Sequence, residues 1–374
     1  MAQNVQAIMV VVATKDSKKM GLPIFFLCLI RKYYYLCYYI NNNTLGGLME
    51  YKALVLNTDQ DNVIPEVKIL NTDDLNHDVL IKVSYASVNY KDGLAMRPKT
   101  RVVGEYPTVV GIDFTGTIVE SNVDKFHIGD EVIVTSHDIL KYQTGGFAEY
   151  ASVPASEVTL LPESLSLKTA AIIGTAGYTA ALSVYRMMQQ TNPMKRDPVL
   201  VLGASGGVGS VACAILDRLG YPVTAVSRKK EIARDYFDTL NVKEVLHPDE
   251  LTAESLKPLG KMMWTAVIDP IGGKYSSYLL PHLNYEGVYL LSGNTAGAKF
   301  ETTVFPFILR GIQVIGIDSV NNNLKDVLWG LIATDYKPRN IHALCDREIS
   351  LEDVPQALED ILEGKMMGRT IVKL

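Results

Sequence analysis

A buried strand followed by a glycine-rich loop is the feature that most constrains the fold of this 374-residue chain. The apolar run Val199–Leu202 leads into the loop Gly203–Gly209, which contains four glycines, and then into Ser210–Leu219, which can form a helix. This order predicts a parallel strand, a tight turn, and a helix whose N-terminal amides face the phosphates of a dinucleotide. The spacing G-x-x-G-x-x-G differs from the commoner G-x-G-x-x-G, so the neighbouring sequence must decide between a binding and a structural role.

The next predicted strand ends in a basic turn. Tyr221–Val226 is typical of the second strand of a βαβ unit, and the stretch 227–230, Ser-Arg-Lys-Lys, follows it. An NAD site would place an acidic residue here on the ribose 2′-hydroxyl, whereas a hydroxyl and cations favour a 2′-phosphate. We therefore predict NADPH as the cofactor; the alternative is a solvated basic turn that starts a helix. The cofactor-binding residues predicted in this unit are Ala204, Ser205, Gly206, Gly207, Val208, Gly209, Ser227, Arg228 and Lys229.

Charge and cysteine content exclude several classes of protein. The formal net charge is −5 and the basic residues are dispersed, so no surface for nucleic acid is indicated. The four cysteines form no C-x-x-C pair and no secreted disulfide framework, which favours a reduced, cytoplasmic protein. The length is sufficient for two domains with separate cores.

The first 48 residues differ from the rest of the chain. Pro23–Ile40 is rich in apolar and aromatic residues, but Arg31 and Lys32 interrupt it and make membrane insertion costly. Met49–Leu56, by contrast, is typical of the opening strand of a folded domain. Our hypothesis is that residues 1–48 are translated upstream sequence, non-native or disordered, and that the natural protein starts at Met49; the alternative is a membrane anchor. We otherwise predict no membrane partner.

The remaining sequence changes its periodicity along the chain. From Met49 onward, short strands separated by Gly, Pro, Asn and Asp predict a compact antiparallel, barrel-like domain. From about Ser166 the pattern becomes helical, and strands then alternate with helices as far as Ile317, which predicts a doubly wound parallel sheet. The closing strand, Arg369–Leu374, is expected to rejoin the first domain.

Several separate motifs resemble one branch of the medium-chain dehydrogenase/reductase superfamily. These motifs are Ser87–Asp92, Pro107–Gly116, Ile173–Ala180, Thr303–Arg310, Gly316–Val320 and Gly368–Thr370. They resemble the zinc-independent quinone oxidoreductases of the YhdH/YhfP group, which are similar to acrylyl-CoA reductases. The resemblance runs from about Met49 to the C-terminus and implies an α/β protein. It implies a GroES-like, β-rich barrel domain at residues 49–173 and 319–374, and a Rossmann domain with a doubly wound parallel sheet at 174–318, which binds NADPH.

The zinc ligands of other superfamily members are replaced here. Zinc alcohol dehydrogenases carry a cysteine near the position of Asn89 and a Gly-His-Glu motif where this chain has Gly111–Asp113. An amide and an isoleucine thus stand where zinc would need soft or imidazole ligands, and the histidines show no paired ligand spacing. We expect no bound metal. Without a Lewis acid, hydride transfer to an activated C=C bond or a quinone is favoured over alcohol oxidation.

The resemblance also implies site residues. Tyr90 is the leading catalytic candidate, because its family counterpart lies by the nicotinamide; Asn89 is a second candidate donor, and Asp92 is expected to order the loop. The alternative for all three is ordinary loop structure. Phe307 is equally explained as core, and Arg369 as the partner of an acid. The residues implied to contact the cofactor outside the glycine loop and basic turn are Tyr90, Thr179, Ser292, Gly293, Asn294, Phe307, Ile317, Ser319 and Arg369.

Three functions remain open at this point. The first is an NADPH-dependent reductase of an enoyl thioester such as acrylyl-CoA, with Arg97 and Lys99 predicted to bind the phosphates of CoA; the alternative for both is a solvated surface cation. The second is a quinone oxidoreductase, and the third is a regulatory or structural protein that binds NADPH without turnover. The resemblance further implies a homodimer in which Gln313–Ile317 pairs with its symmetry mate.

Overall fold

The computed structural model describes residues 49–59, 62–100, 102–192, 194–251, 258–320 and 323–374; the hypotheses about residues 1–48 lie outside these ranges. The strands are β1 (Glu50–Asp59), β2 (Asn62–Asn71), β3 (Val79–Ser87), β4 (Thr108–Val109), β5 (Phe114–Ser121), β6 (Glu131–Val134), β7 (Tyr150–Val153), β8 (Val158–Leu160), β9 (Val199–Val201), β10 (Val223–Val226), β11 (Glu244–Leu246), β12 (Trp264–Asp269), β13 (Leu283–Leu291), β14 (Gln313–Gly316), β15 (Cys345–Ile349) and β16 (Arg369–Lys373). The α-helices are α1 (Tyr90–Leu94), α2 (Leu167–Gln190), α3 (Gly207–Arg218), α4 (Arg234–Thr239), α5 (Lys274–Leu279), α6 (Phe305–Arg310), α7 (Lys325–Ala333) and α8 (Val354–Leu362).

Parallel strands form one of the sheets. Within the described residues its order is β11-β10-β9-β12-β13-β14, and every neighbouring pair is parallel. Val199, Leu200 and Val201 are fully buried, as a central strand covered on both faces requires. The strand order reverses between β9 and β12, so a crevice opens at their carboxyl ends, where sheets of this kind bind ligands. The predicted doubly wound sheet is confirmed.

A mostly antiparallel sheet forms the other half of the described fold. Its order is β15-β16-β3-β5-β6-β8 with β7 also paired to β3, and a small sheet, β2-β1-β4, accompanies it. Strand β16 runs antiparallel to β3 with Ile371 opposite Ser87, which confirms that the closing strand rejoins the first domain. This pairing brings Arg369, at the start of β16, close to the residues that follow β3.

The sequence pattern does not predict strand β2. It pairs with β1 over ten residues, yet its side chains are all exposed or half-buried, and Ile64 and Ile69 are exposed. Pro65 stands within it, which an edge strand tolerates because its amide positions on one side need no partner. The strand therefore lacks the apolar alternation from which it could have been recognised.

Helix α3 starts earlier than predicted. The expected start was Ser210, whereas the helix begins at Gly207, because the Ser210 amide donates to the Gly206 carbonyl at 2.9 Å and closes the first turn. Residues 207–209 therefore belong to the helix N-terminus. The first amides of a helix have no partner within it and are available to a ligand.

Helix α2 is kinked at Gly174. This residue has a φ of 51°, and a Cβ there would lie 2.6 Å from both Asp113 Oδ2 and Ser87 Oγ. The left-handed backbone and the close approach both require glycine. The kink coincides with the predicted domain boundary between residues 173 and 174, which stays a prediction. Its consequence is that the second half of α2 starts directly above Asp113.

Candidate active site

The predicted phosphate loop lies at the crevice between β9 and β12. The Gly206 amide donates to the Gly203 carbonyl at 2.9 Å, which forms the turn, and the Ala204 amide donates to the Val226 carbonyl at 3.0 Å. Helix α3 follows at once, so its N-terminal amides and the positive end of its dipole face the crevice. The loop residues predicted from the sequence are therefore together at one position suited to a pyrophosphate.

The basic turn lies beside this loop. Ser227 Oγ is 2.8 Å from Ser205 Oγ and accepts a hydrogen bond from the Lys229 amide at 3.0 Å, which ties the turn to the loop. Lys230 is bound to Glu250 at 2.8 Å, so its charge is compensated. A pocket of about 270 Å³ opens here. It is lined by Arg228, Lys229, Lys230, Glu231, Ile232, His247 and Glu250.

A buried polar cluster lies beneath the kink of α2. Asp113 is its centre: Oδ1 accepts from Ser87 Oγ at 2.6 Å, and Oδ2 accepts from Asn89 Nδ2 at 3.0 Å and from the Thr175 amide at 2.6 Å. The Arg369 guanidinium pairs with Asp113 at 3.7 Å, and both side chains are 2% exposed. The carboxylate is therefore compensated by a cation and by several donors without access to water.

Arg369 connects this cluster to the phosphate loop. Its guanidinium donates to Ser87 Oγ, to Asn89 Oδ1 at 3.2 Å and to the Ile172 carbonyl at 2.9 Å. A Cβ on Gly207 would lie only 2.9 Å from its Nη1 atom. Burial lowers the pKa of Arg369, and the Asp113 carboxylate opposes that shift. Of the two roles considered for Arg369, the pairing with an acid is confirmed; the cofactor contact stays a prediction.

Tyr90 is the first residue of α1, and Asn89 caps that helix. Asp92 accepts from the Asn89 amide at 3.0 Å and from the Ile112 amide at 3.0 Å, which confirms that it orders this loop. Both N–H bonds of the Asn89 side chain are used, one to Asp113 and one to the Ser87 carbonyl. The predicted use of Asn89 as a donor to a substrate does not fit this arrangement. Tyr90 is 37% exposed, and among the described residues its hydroxyl has no hydrogen-bond partner.

Comparison with known proteins identifies the family. A model described as an alcohol dehydrogenase GroES-like domain matches residues 75–163, and one described as a zinc-binding dehydrogenase matches residues 207–334. "Putative quinone oxidoreductase YhfP" of Bacillus subtilis is 44% identical over 327 residues, covering 87% of this chain and 99% of that protein. The chain belongs to the medium-chain dehydrogenase/reductase superfamily. "Acrylyl-CoA reductase AcuI" of Ruegeria pomeroyi is 37% identical over 327 residues, covering 86% of this chain and 98% of that protein. The chain is thus an oxidoreductase, as predicted.

Solved structures confirm the fold class of this superfamily member. Bacillus subtilis YhfP, crystallised with NAD bound, matches with a TM-score of 0.84 and covers 87% of this chain and 100% of that one. The YhdH oxidoreductase of Salmonella enterica, in complex with NADP, matches at 37% identity with a TM-score of 0.81, covering 86% of this chain and 99% of that one. The GroES-like domain and the Rossmann domain predicted from the sequence are both confirmed.

The other residues predicted to contact the cofactor follow the ends of parallel strands or lie within helices. Ser292 and Ile317 follow the parallel strands β13 and β14, with amides that donate to the Asp269 and Leu291 carbonyls at 2.9 Å each. Gly293 and Asn294 follow Ser292 directly. Thr179 lies within α2, and its Oγ1 donates to the Thr175 carbonyl at 2.8 Å. Phe307 packs on the buried sheet cluster, and Ser319 is half-buried beyond β14. All of these remain predicted contacts.

The structure describes only one of the two side chains, Arg97 and Lys99, that are predicted to bind the phosphates of CoA. Arg97 is engaged by both oxygens of the Glu359 carboxylate, at 3.1 and 2.7 Å, so it is not an uncompensated cation ready for a phosphate. The side chain of Lys99 lies outside the described part of the structure. The sequence interpretation missed Glu359 because an exposed ion pair between α8 and the loop after α1 leaves no local sequence signal.

Two further findings concern metals and membranes. Among the described residues, no three His, Cys, Asp or Glu side chains come together in a way that could hold a metal ion. In the same part of the chain, no helix combines the length and apolar character needed to cross a bilayer.

The central role of Asp113 and Ser87 in the buried cluster could not be recognised from the sequence, in which both residues stand out only as parts of longer motifs.

The titration of Asp92 gives a testable pH dependence. Burial raises the pKa of Asp92 to about 7, and the Asp113 carboxylate adds to the shift, while the amide donors of Ile112 and Asn89 oppose it. The unfolded-state pKa is about 3.9. Between these values the folded chain holds a proton that the unfolded chain has lost, so this contribution to stability is present below about pH 4 and is lost as the pH rises through about 7.

We therefore expect wild type to lose stability relative to Asp92→Asn between about pH 4 and pH 8. Urea unfolding at a series of pH values measures the difference. Asp73→Asn, at an exposed position, controls for removal of a carboxylate. Parallel pH profiles for wild type and Asp92→Asn would contradict the expectation.

Proposed function

We propose that this chain is an NADPH-dependent, zinc-independent reductase of the activated C=C bond of an enoyl thioester such as acrylyl-CoA. The observation that carries the proposal is the Arg369 guanidinium, held among Ser87, Asn89 and Asp113. Zinc dehydrogenases of the superfamily carry a cysteine ligand near the position of Asn89 and a Gly-His-Glu motif at the positions of Gly111–Asp113. The open Tyr90 hydroxyl nearby supplies a donor for a substrate oxygen.

Zinc does not fit this set of side chains. Ile112 has no ligand atom, the amide of Asn89 is a poor ligand for zinc, and Asp113 already faces the Arg369 guanidinium at 3.7 Å. A second cation at this position would be repelled by the guanidinium at short range and low dielectric. The proposed chemistry therefore uses hydrogen-bond donors.

The basic turn supports NADPH. Arg228 lines the pocket beside Ser227, and no carboxylate pairs with it among the described residues. A guanidinium next to a hydroxyl and a half-buried lysine suits a 2′-phosphate better than a 2′-hydroxyl. The NADP complex of the 37% identical Salmonella enterica protein agrees with this assignment, whereas YhfP was crystallised with NAD.

Tyr90 and Asn89 have different roles in the proposed reduction. The bound cofactor supplies a hydride, which the β-carbon of the thioester accepts. Negative charge then develops on the thioester carbonyl oxygen, to which the Tyr90 hydroxyl donates a hydrogen bond. A proton from water completes the reduction at the α-carbon, so one hydride and one proton add across the C=C bond. Asn89 positions Tyr90, because its side chain is fixed to Asp113 and Arg369.

Reduction of quinones is the second candidate function. The pairing of Arg97 with Glu359 favours it, because a predicted cation for the phosphates of CoA is already compensated. The name of the 44% identical YhfP points in the same direction. A quinone needs no phosphate-binding cation, and its developing hydroquinone charge can be met by the same Tyr90 donor.

Steady-state kinetics with NADPH separate these candidates. Acrylyl-CoA, crotonyl-CoA and 1,4-benzoquinone are compared as acceptors at matched protein concentration. We expect the largest kcat/KM for acrylyl-CoA. A kcat/KM that strongly favours the quinone would establish the second candidate, and tight NADPH binding without turnover of any acceptor would leave a non-catalytic binding protein.

A second copy of the chain is the proposed protein partner. Among the described strands β14 is an edge of the parallel sheet, and Val314 on it and Ile308 and Leu309 of α6 are exposed. Pairing two β14 edges would cover these apolar side chains and satisfy the open strand edge. We expect light scattering to give twice the chain mass for wild type and a shift toward the single-chain mass for Val314→Glu. A single-chain mass for wild type would contradict the dimer.

A further inference from the structure

The segment between α8 and β16 lies against the cofactor-binding half of the molecule. This segment, Glu363–Gly368, makes two hydrogen bonds there. The Gly368 amide donates to the Ser205 carbonyl at 2.8 Å, and the Lys229 ammonium donates to the Met366 carbonyl. Ser205 belongs to the phosphate loop and Lys229 to the basic turn, so the segment contacts both parts of the proposed cofactor site.

Gly364 is the point of closest approach to Arg228. It has a φ of +69°, and a Cβ there would lie 2.8 Å from Nη2 of Arg228 and 3.9 Å from its Cζ. Among the described residues, no other heavy atom outside the immediate chain neighbours lies within 4 Å of that Cβ position. The Arg228 guanidinium thus occupies the space that a side chain at position 364 would take.

Arg228 also differs from the two lysines that follow it. Lys230 is paired with Glu250, and Lys229 is half-buried, with a pKa that burial and the neighbouring Arg228 both lower. Arg228 is exposed and has no carboxylate partner among the described residues. It is therefore the cation of the turn with the most capacity left for a phosphate, and its guanidinium can bind two phosphate oxygens at once.

We infer that Gly364 is a specificity-determining position for the cofactor, acting through Arg228. The absence of a side chain leaves room for the guanidinium beside the backbone of Gly364, and a Cβ there would displace Nη2 from its position. A displaced guanidinium loses charge-assisted hydrogen bonds to a phosphate bound at the basic turn. The inference rests on the proposed NADPH function and adds a residue that is distant in sequence from the glycine loop and the basic turn.

The test measures binding rather than turnover. Dissociation constants of the full-length protein for NADPH and NADH are obtained from the fluorescence of the bound nicotinamide. For Gly364→Ala we expect the Kd of NADPH to rise roughly tenfold, the loss of one charge-assisted hydrogen bond, while the Kd of NADH changes less than about twofold. Gly364→Asn places a Cβ at the same point in a residue that tolerates positive φ, and the same result is expected.

Gly220→Ala is the matched control. Gly220 has a similar φ of +78°, but no atom of the described residues beyond its chain neighbours lies within 4 Å of its Cβ position, so the substitution brings comparable backbone strain without displacing Arg228. Its ratio of NADPH to NADH affinity should equal that of wild type. An unchanged ratio in both Gly364 variants, or the same change in Gly220→Ala, would overturn the inference.

Arg228→Ala separates this inference from the proposed function. If the Arg228→Ala variant and the Gly364→Ala variant each lose the preference for NADPH, the inference and the proposed function are both supported. If Arg228→Ala loses the preference for NADPH but the ratio of NADPH to NADH affinity is unchanged in the Gly364 variants, the inference is overturned and the proposed NADPH site is retained. A wild type that does not prefer NADPH, or an Arg228→Ala variant that still does, overturns the proposed basis for the cofactor and the inference with it.

Discussion

Replacement of Arg369 by methionine is expected to lower the free energy of unfolding by about 3–5 kcal/mol, because it leaves the buried Asp113 carboxylate without its cation. Both side chains are 2% exposed, so water cannot take the place of the guanidinium. The variant also loses the donors to Ser87 and to the Asn89 side chain. Urea unfolding followed by circular dichroism measures the change.

Arg97→Met is the matched control for this variant. The pair between Arg97 and Glu359 has two good hydrogen bonds, but its side chains are 50% and 35% exposed, so we expect a loss of about 1 kcal/mol or less. Arg369→Met combined with Asp113→Asn should recover part of the stability lost in Arg369→Met, since the unpaired charge is then removed. Equal losses for Arg369→Met and Arg97→Met would contradict the account of the buried cluster.

Replacement of Tyr90 by phenylalanine is expected to lower kcat for the thioester by about 10²–10³-fold, the usual cost of one donor to a developing oxyanion. The ring stays in place, so the Kd for NADPH should change less than about twofold. Tyr285→Phe, on an exposed side chain of β13, controls for removal of a tyrosine hydroxyl. Stopped-flow measurement of a single turnover separates the chemical step from product release.

An unchanged single-turnover rate in Tyr90→Phe would remove this hydroxyl from the proposed chemistry. A tenfold or larger rise in the Kd of NADPH, with the rate unchanged at saturation, would instead assign Tyr90 to cofactor binding. Both outcomes leave the buried cluster intact, because Tyr90 makes no hydrogen bond to it among the described residues.

The parallel sheet could be predicted because its central strands are buried on both faces. Val199–Val201 is a continuous apolar run that leads to the glycine loop, and Val223–Val226 is apolar except for Thr224 and leads to the basic turn, so this pattern needs no tertiary information. Strand β2 could not be predicted, since its stability comes from pairing with β1 rather than from apolar alternation. The start of α3 was misplaced because the glycines that open it have low helix propensity.

The buried cluster could be predicted only in part. Arg369 and Asn89 were named as single candidates, but Ser87 and Arg369 are 282 residues apart in the chain. Only the antiparallel pairing of β3 with β16 brings them together. The same limit applies to Asn89, whose type suggested a donor for substrate, whereas its contacts commit the amide to the cluster. The approach of Gly364 to Arg228 likewise has no local sequence signal.

The central claim is transfer of a hydride to the β-carbon of an enoyl thioester, and isotope transfer tests it most directly. The full-length protein is incubated with acrylyl-CoA and NADPH that carries two deuterium atoms at C4 of the nicotinamide. Mass spectrometry and NMR of the product should show propionyl-CoA with one deuterium, located at the β-carbon. Absence of deuterated propionyl-CoA, while the same NADPH is oxidised by 1,4-benzoquinone, would contradict the claim.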